Sequence, residues 1–292
     1  MFDGSGLKFH KRSAVSRVPP CRESYGVKLR ALLFDVDGTL AETETHGHRV
    51  SYNRAFRELG LRFRWSPQLY RKLLEAPGGR ERLLHFRERY QPDLGIHAEQ
   101  DPAAWAETVH RIKSQHFRRL LRRGQVPARP GVARLFAEAK LAGVRIAVVT
   151  NASRASVAAV LRYSLGPSLM RQVEFVVGAE SVTHKKPHPE PYLRALEKLR
   201  LDAFECVAIE DSAQGLKSAA AAGIPTLVVQ NDDTRGQDFS RAALVVDSLG
   251  EPGLSPQVLS GALDEDCVRL ASLQSLVQRA AAGEAGRDSR AA

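Results

Sequence analysis

The chain has 292 residues, 43% of them hydrophobic, which is enough to bury a core in one large or two moderate domains. No apolar run reaches the ~18 residues that a membrane span needs. Cys21, Cys206 and Cys267 lie too far apart for a CxxC pair, which argues against a disulfide framework or structural zinc and fits a reducing cytosol. The net charge of +10 suits nucleic acid, an anionic membrane surface or a multiply anionic small substrate.

The position of the charge narrows that choice. Residues 1–30 carry seven Lys/Arg against two acids, 45–123 carry seventeen against eight, and the remainder nineteen against twenty-three. The first stretch has no helical or strand periodicity and reads as a disordered basic leader, residues 1–29. An organellar transit peptide and a plain extension are both compatible with its composition.

From residue 31 short Val- and Ile-rich runs stop at Asp, Thr, Asn or Gly. Ala31 to Asp37, Arg145 to Asn151, Glu174 to Gly178, Cys206 to Asp211, Thr226 to Gln230 and Ala243 to Asp247 are predicted as buried strands. Helical patterns lie between them at Gly131 to Ala142, Ala155 to Tyr163, Glu190 to Leu199 and Gln214 to Ala222. The alternation predicts an α/β fold with a doubly wound parallel sheet.

One interval breaks the alternation. Asn53 to Leu59, Pro67 to Leu74, Arg80 to Tyr90 and Pro102 to Leu121 read as Arg-rich helices without strand signal, so residues 45–123 are expected to form an all-helical inserted domain. The catalytic core is then 30–44 plus 124–250. Residues 251–292 are a tail with one amphipathic helix, Cys267 to Ala282.

Four strand ends carry chemistry. The first ends in Asp35-Val36-Asp37-Gly38-Thr39, and side chains two apart on a strand face the same way, so two carboxylates reach one site at the carboxyl end of the sheet. Their repulsion calls for a hard divalent cation, for which magnesium, which retains waters and binds phosphate, is the natural candidate. A plain Asp-Gly turn is the bland alternative. Thr150 and Asn151 end the second strand before a helix N-terminus, a place for an anion or simply a cap. Lys185-Lys186-Pro187-His188-Pro189 holds a lysine on a stiffened segment. Glu210 and Asp211 end an apolar strand, where acids are costly unless they bind something.

In this order the four motifs resemble the haloacid dehalogenase superfamily over about residues 30 to 250. The resemblance implies that Asp35 is the nucleophile and Asp37 the general acid and base, with Thr150 and Lys186 on the phosphoryl oxygens. It also implies magnesium on the Asp35 carboxylate, the Asp37 backbone carbonyl and Asp211, with Glu210 in or next to the coordination shell. The insertion is similar to the cap domain of the β-phosphoglucomutase-like branch. Asp35 to Glu44, His48-Arg49 with Asn53, and Gly78-Gly79-Arg80-Glu81-Arg82 resemble CbbY-type proteins, which dephosphorylate xylulose 1,5-bisphosphate. Arg80 stands where many members have lysine.

The expectation is therefore a magnesium-dependent cytoplasmic phosphatase, monomeric, acting on a small sugar phosphate without nucleic-acid or membrane partners. Gly78, Gly79, Arg80 and Arg82 are expected to bind a second phosphate, while Glu42 and His48 reach sugar hydroxyls. For His48 a plain surface role is an equal alternative. Tyr70 reads as packing. A phosphomutase and a phosphoglycolate phosphatase-like enzyme remain alternatives, because the core motifs are shared. A nucleic-acid-binding protein is the rival of another class, although its aromatics do not interleave with the basic residues.

Overall fold

A computed structural model describes residues 26–291 apart from Pro77, with side chains described through residue 283. Strands β1 (Ala31–Phe34), β2 (Arg145–Val149), β3 (Val173–Val177), β4 (Cys206–Glu210), β5 (Thr226–Val229), β6 (Leu244–Val246) and β7 (Val258–Ser260) form one sheet in the order β3-β2-β1-β4-β5-β6-β7. All neighbours are parallel except the edge pair β6–β7. The order steps outward on both sides of β1, so β1 and its neighbours meet at the switch point where open α/β sheets bind ligands.

Both faces of the sheet are covered. Leu32 and Phe34 pack into one cluster with α5 (Val132–Ala142), α6 (Arg154–Val160), Leu169 of the short α7 (Pro167–Met170) and α10 (Leu270–Ala291), whereas Ala31 and Leu33 join α8 (Glu190–Leu199) and α9 (Ala213–Ala221) on the other side. That alternation is the period-two geometry of a strand buried on both faces.

Between β1 and β2 lie α1 (Arg49–Glu58), α2 (Pro67–Leu73), α3 (Gly79–Tyr90) and α4 (Pro102–Arg122). Ser66 and Asp101 cap α2 and α4 by accepting from the N–H of Leu69 (3.1 Å) and Ala104 (2.9 Å), each followed by proline at the first helical position. These helices have an apolar cluster of their own, built on Tyr52, Phe56, Trp65, Leu83, Phe86 and Trp105. Replacing a ring of this kind with Ala typically costs ~3–5 kcal/mol.

Several boundaries differ from the predicted ones; the last helix, predicted over Cys267 to Ala282, is α10 at Leu270–Ala291, and β2 stops two residues early at Val149. β1 stops at Phe34, three residues early: Asp35 N–H still pairs with Ile209 O (2.9 Å), but Gly38 turns the chain away at φ 79°, a conformation costly for other residues. The wide turn Glu44–His48 precedes α1, which begins before Asn53. β7 falls in what reads as tail, because its three residues are all exposed and lack apolar alternation. Finally, the leader up to residue 25 lies outside the described residues, but residues 27–29 are docked on α10. Gln274 accepts from Leu29 N–H (2.8 Å) and donates to Val27 O (2.7 Å). Among the described residues no helix is long and apolar enough to cross a membrane.

Candidate active site

The carboxyl ends of β1, β2 and β4 and the inner faces of α1, α3 and α4 enclose a cavity of about 680 Å³. On the sheet side Lys186 is the hub. Its ammonium is 3% exposed and donates to Asp35 Oδ1 (2.7 Å), Val149 O (2.7 Å) and Glu210 Oε1. Burial opposes its charge, but Asp35 and Glu210 hold its pKa above the ordinary lysine range. Burial also pushes Asp35 up, to about 7; Lys186 opposes that rise, while Glu210 and Asp37 add to it. Asp211 is raised for the same reasons, by burial first and then by Asp35 and Glu210.

Crowded acids of this kind are what a cation would relieve. Asp35, Glu210 and Asp211 each bring one oxygen within 4.8 Å of the other two. Glu210 is fully buried, with Oε1 accepting from Tyr192 and Lys186 and Oε2 without a hydrogen-bond partner. A Cβ at Gly215 would stand 1.8 Å from that Oε2, so only glycine leaves room for the carboxylate there. One lysine against three buried carboxylates leaves negative charge uncompensated, and the donors are hard oxygens; the residues present fit a small divalent ion such as Mg²⁺.

Asp37 faces the other way. His48 Nε2 lies 3.1 Å from its Oδ1, and Lys113 Nζ lies 2.9 Å from His48 Nδ1. An ammonium has only hydrogens to offer, so Nδ1 accepts from Lys113 and Nε2–H donates to Asp37. Burial would raise Asp37, but His48, Thr43 and Lys113 outweigh it and bring its pKa down to about 2. Burial likewise brings Lys113 down to about 8, against the pull of Glu44 and Asp37.

The insertion supplies the remaining walls. Gly78 and Gly79 open α3 at the cavity, Tyr52 OH donates to Gly79 O (2.9 Å), and Arg80 projects beside them, paired with Glu107 at 2.8 Å and more than half exposed. Arg82 is buried and committed: it donates to Tyr70 OH (2.8 Å) and Leu73 O (3.2 Å) and lies 4.0 Å from Glu44, which also accepts from Tyr70.

This arrangement on this sheet has relatives. A family model for haloacid dehalogenase-like hydrolases matches residues 29–223. The CbbY protein of Cupriavidus necator is 41% identical over 80% of this chain and 91% of its own length. The crystal structure of CbbY from Rhodobacter sphaeroides in complex with phosphate aligns at a TM-score of 0.68 and 38% identity, over 75% of this chain and 94% of the other. A mutant of that protein, solved in complex with xylulose-(1,5)bisphosphate, aligns equally well. The chain belongs to the haloacid dehalogenase-like hydrolases, in the CbbY family. It is an enzyme, a phosphoric monoester hydrolase.

In this hydrolase Asp35, Asp37, His48, Gly78, Gly79, Arg80, Arg82, Thr150, Asn151, Lys186 and Asp211 all border the one cavity, and Glu210 lies beneath it. Arg82, expected on the second phosphate, is tied to Tyr70 and Leu73, His48, expected on sugar hydroxyls, is held between Asp37 and Lys113, and three further placements differ from expectation. Glu42 lies against Arg129 (3.6 Å) and does not border the cavity; two residues on, Glu44 does. The side chain of Asp37 is outside the carboxylate trio, because β1 ends before it. Asn151 braces Lys186, accepting from its N–H (2.9 Å) and donating to its carbonyl (3.2 Å).

Sequence reasoning passed over Asn231, which donates to Asp211 Oδ2 (2.7 Å), and Lys113, Tyr192 and Arg129. Arg129 is 5% exposed and ties three strand-end loops through the carbonyls of Gly38 (2.9 Å), Gln230 (3.2 Å) and Asp247 (2.6 Å). No motif marks any of these four. Their partners are more than ten residues away, and only the fold brings them together.

Proposed function

We propose that this hydrolase is a magnesium-dependent phosphatase of a sugar bisphosphate, with a pentulose such as xylulose 1,5-bisphosphate as the favoured substrate, and that α1 to α4 act as its cap domain. The observation that carries the reading is one cavity with two unlike ends. Three crowded carboxylates and Lys186 lie at the sheet, whereas the opening turn of α3 and Arg80 lie across from them. The ligand named for the Rhodobacter sphaeroides structure has two phosphates, and so suits a site of this form.

Asp35 is the nucleophile in this reading. Its Oδ attacks phosphorus, the bond from phosphorus to the sugar oxygen breaks, and the phosphoryl group passes to the carboxylate. Lys186 and Thr150 hold the phosphoryl oxygens, and Mg²⁺ bound by Asp35 and Asp211, the Asp37 carbonyl and the nearby Glu210 would supply charge neutralisation. Asp37 gives a proton to the departing sugar oxygen and then takes one from the water that releases inorganic phosphate. His48 and Lys113 favour the carboxylate form of Asp37, with a pKa near 2; an incoming phosphate dianion repels that charge and draws the proton on. The pair His48–Lys113 thus orients Asp37 and adjusts its proton affinity. At the far end, the α3 amides with Arg80 take the second phosphate, while Arg82 keeps Glu44 and Tyr70 in place.

Incubation of the purified chain with Mg²⁺ and xylulose 1,5-bisphosphate tests the reading directly. Stoichiometric inorganic phosphate is the expected product. An isomeric monophosphate without phosphate release would identify a mutase instead, and turnover of phosphoglycolate alone would remove the second-phosphate site.

A further inference from the structure

The loop between β3 and α8 gathers a second set of metal-binding side chains, away from the three carboxylates of the sheet edge. His184, His188 and Glu190 each bring one donor atom within 4.8 Å of the other two. The backbone pins Glu190 at the first turn of α8: Oε1 accepts from Thr183 N–H (2.9 Å) and Oε2 from His184 N–H (2.8 Å), with Arg194 Nε reaching Oε1 at 3.2 Å. Each carboxylate oxygen has two lone pairs, so Oε2 retains acceptor capacity after its amide is bound. His184 Nδ1 lies 3.0 Å from Oε2, His188 Nδ1 accepts from Glu190 N–H (3.1 Å), and the two ring centroids lie 4.6 Å apart with their planes tilted by 33°.

Both imidazoles are exposed and belong to none of the apolar clusters. Core packing therefore does not account for two neighbouring histidines beside a fixed carboxylate in a lysine-bearing loop. Coordination does, because one ion among the three donors joins ring nitrogen, ring nitrogen and carboxylate oxygen. Two imidazoles with a carboxylate favour zinc and its neighbours in the first transition row, while the all-oxygen trio at the sheet edge favours magnesium.

We propose that His184, His188 and Glu190 form a second divalent-cation site, which takes an imidazole-seeking ion such as Zn²⁺. On binding, the proton of His184 Nδ1 moves to Nε2, and the ion replaces the hydrogen bonds now made by both Nδ1 atoms. Exposed rings are free to close the remaining distance, and water completes the shell. Lys185 and Lys186 lie in sequence between the ligands, so the ion would brace the backbone from which Lys186 reaches Asp35.

The test uses the full chain with Mg²⁺ in excess, so that the carboxylate trio is not available to zinc. Calorimetric titration with Zn²⁺ should find one equivalent in the native protein that is lost, or weakened by about tenfold or more, in His184→Ala and in His188→Ala. Zinc should raise the melting temperature of the native chain and not that of either variant. Other histidines and cysteines are common to all three proteins and cancel in the comparison. Equal zinc affinity in native and variant chains, or no zinc binding by the native chain, overturns the proposal. A variant that melts early without zinc is set aside in favour of the other, since either substitution alone removes a ligand. Binding is read without turnover, so this result is independent of the phosphatase reading.

Discussion

The two sides of the cavity are built differently. At the sheet, Asp35, Thr150, Lys186, Glu210 and Asp211 are all under a tenth exposed; four of them sit at or just beyond a strand end, and Lys186 reaches them from the loop between β3 and α8. On the helical side, Glu44 and His48 reach the same space from the turn before α1, Arg82 from α3 and Lys113 from α4, and these helices pack on a core of their own. The sheet side concentrates acids whose mutual repulsion is met by one lysine, which suits chemistry on a phosphoryl group. The helical side ties Arg82, His48 and Lys113 to internal partners and leaves Arg80 paired only with the exposed Glu107. Substitutions on the two sides should therefore fail in different ways.

The largest effect is expected at the sheet. Asp35→Asn keeps the shape but removes the attacking oxygen charge, so phosphate release should fall by ~10³-fold or more while the circular dichroism spectrum is unchanged. Substantial residual turnover in the folded variant would assign the nucleophile elsewhere. On the helical side, Arg82→Ala should act first on stability: it leaves Glu44 and Tyr70 buried without their cation, at a cost of about 3–5 kcal/mol in urea unfolding. If it melts like the native chain and loses only substrate affinity, Arg82 is a ligand and not a brace.

The same contrast explains what could be read from the sequence. Strand ends are legible because a run such as Cys206 to Glu210 is apolar until it stops, and the residue at the stop is then at the sheet edge whatever the distant chain does. Asp35, Thr150 and Asp211 are visible in that way, and so is the parallel sheet; Lys186 is visible through the prolines that stiffen its segment. Helical positions are less legible. Glu42 is expected at the cavity because it lies just past Asp35, but its side chain turns to Arg129, and Glu44, at the start of the wide turn Glu44–His48, borders the cavity instead. Lys113 is one of many basic residues in the insertion, and nothing local separates it from those that are solvated. Asn231 and Arg129 depend on loops that meet only once the sheet has formed.

Acidity sharpens the comparison further. Asp35 has a folded-state pKa of about 7 against 3.8 ordinarily. A carboxyl raised in this way stabilises the fold below pH 4 and withdraws that contribution as pH rises to about 7, because the native state then gives up a proton that it held more tightly. Without metal, stability should decline over that window. A divalent ion needs the ionised carboxylate, so the gain in melting temperature from Mg²⁺ should be larger near about pH 8 than near about pH 5. Thermal unfolding in chelator and in Mg²⁺ at several pH values checks this, and a pH-independent gain would remove Asp35 from the ligand set.

The smallest effect is expected from Arg80, and it bears most directly on substrate choice. Its guanidinium is more than half exposed and its partner Glu107 equally so, and an ion pair of that kind contributes roughly 0–1 kcal/mol; Arg80→Ala should therefore leave melting almost unchanged. A phosphate seated on the opening turn of α3 would meet the same guanidinium in a narrower, drier space, and exchange of Glu107 for a dianion would strengthen the contact. Screening keeps the gain below that of a buried pair, so kcat/KM for a sugar bisphosphate should fall by about three- to tenfold, mostly through KM. A small phosphomonoester does not extend to α3, and its hydrolysis should not change. Equal losses on both substrates would place Arg80 in closure of the insertion over the sheet, and no loss on either would place the second phosphate away from Arg80.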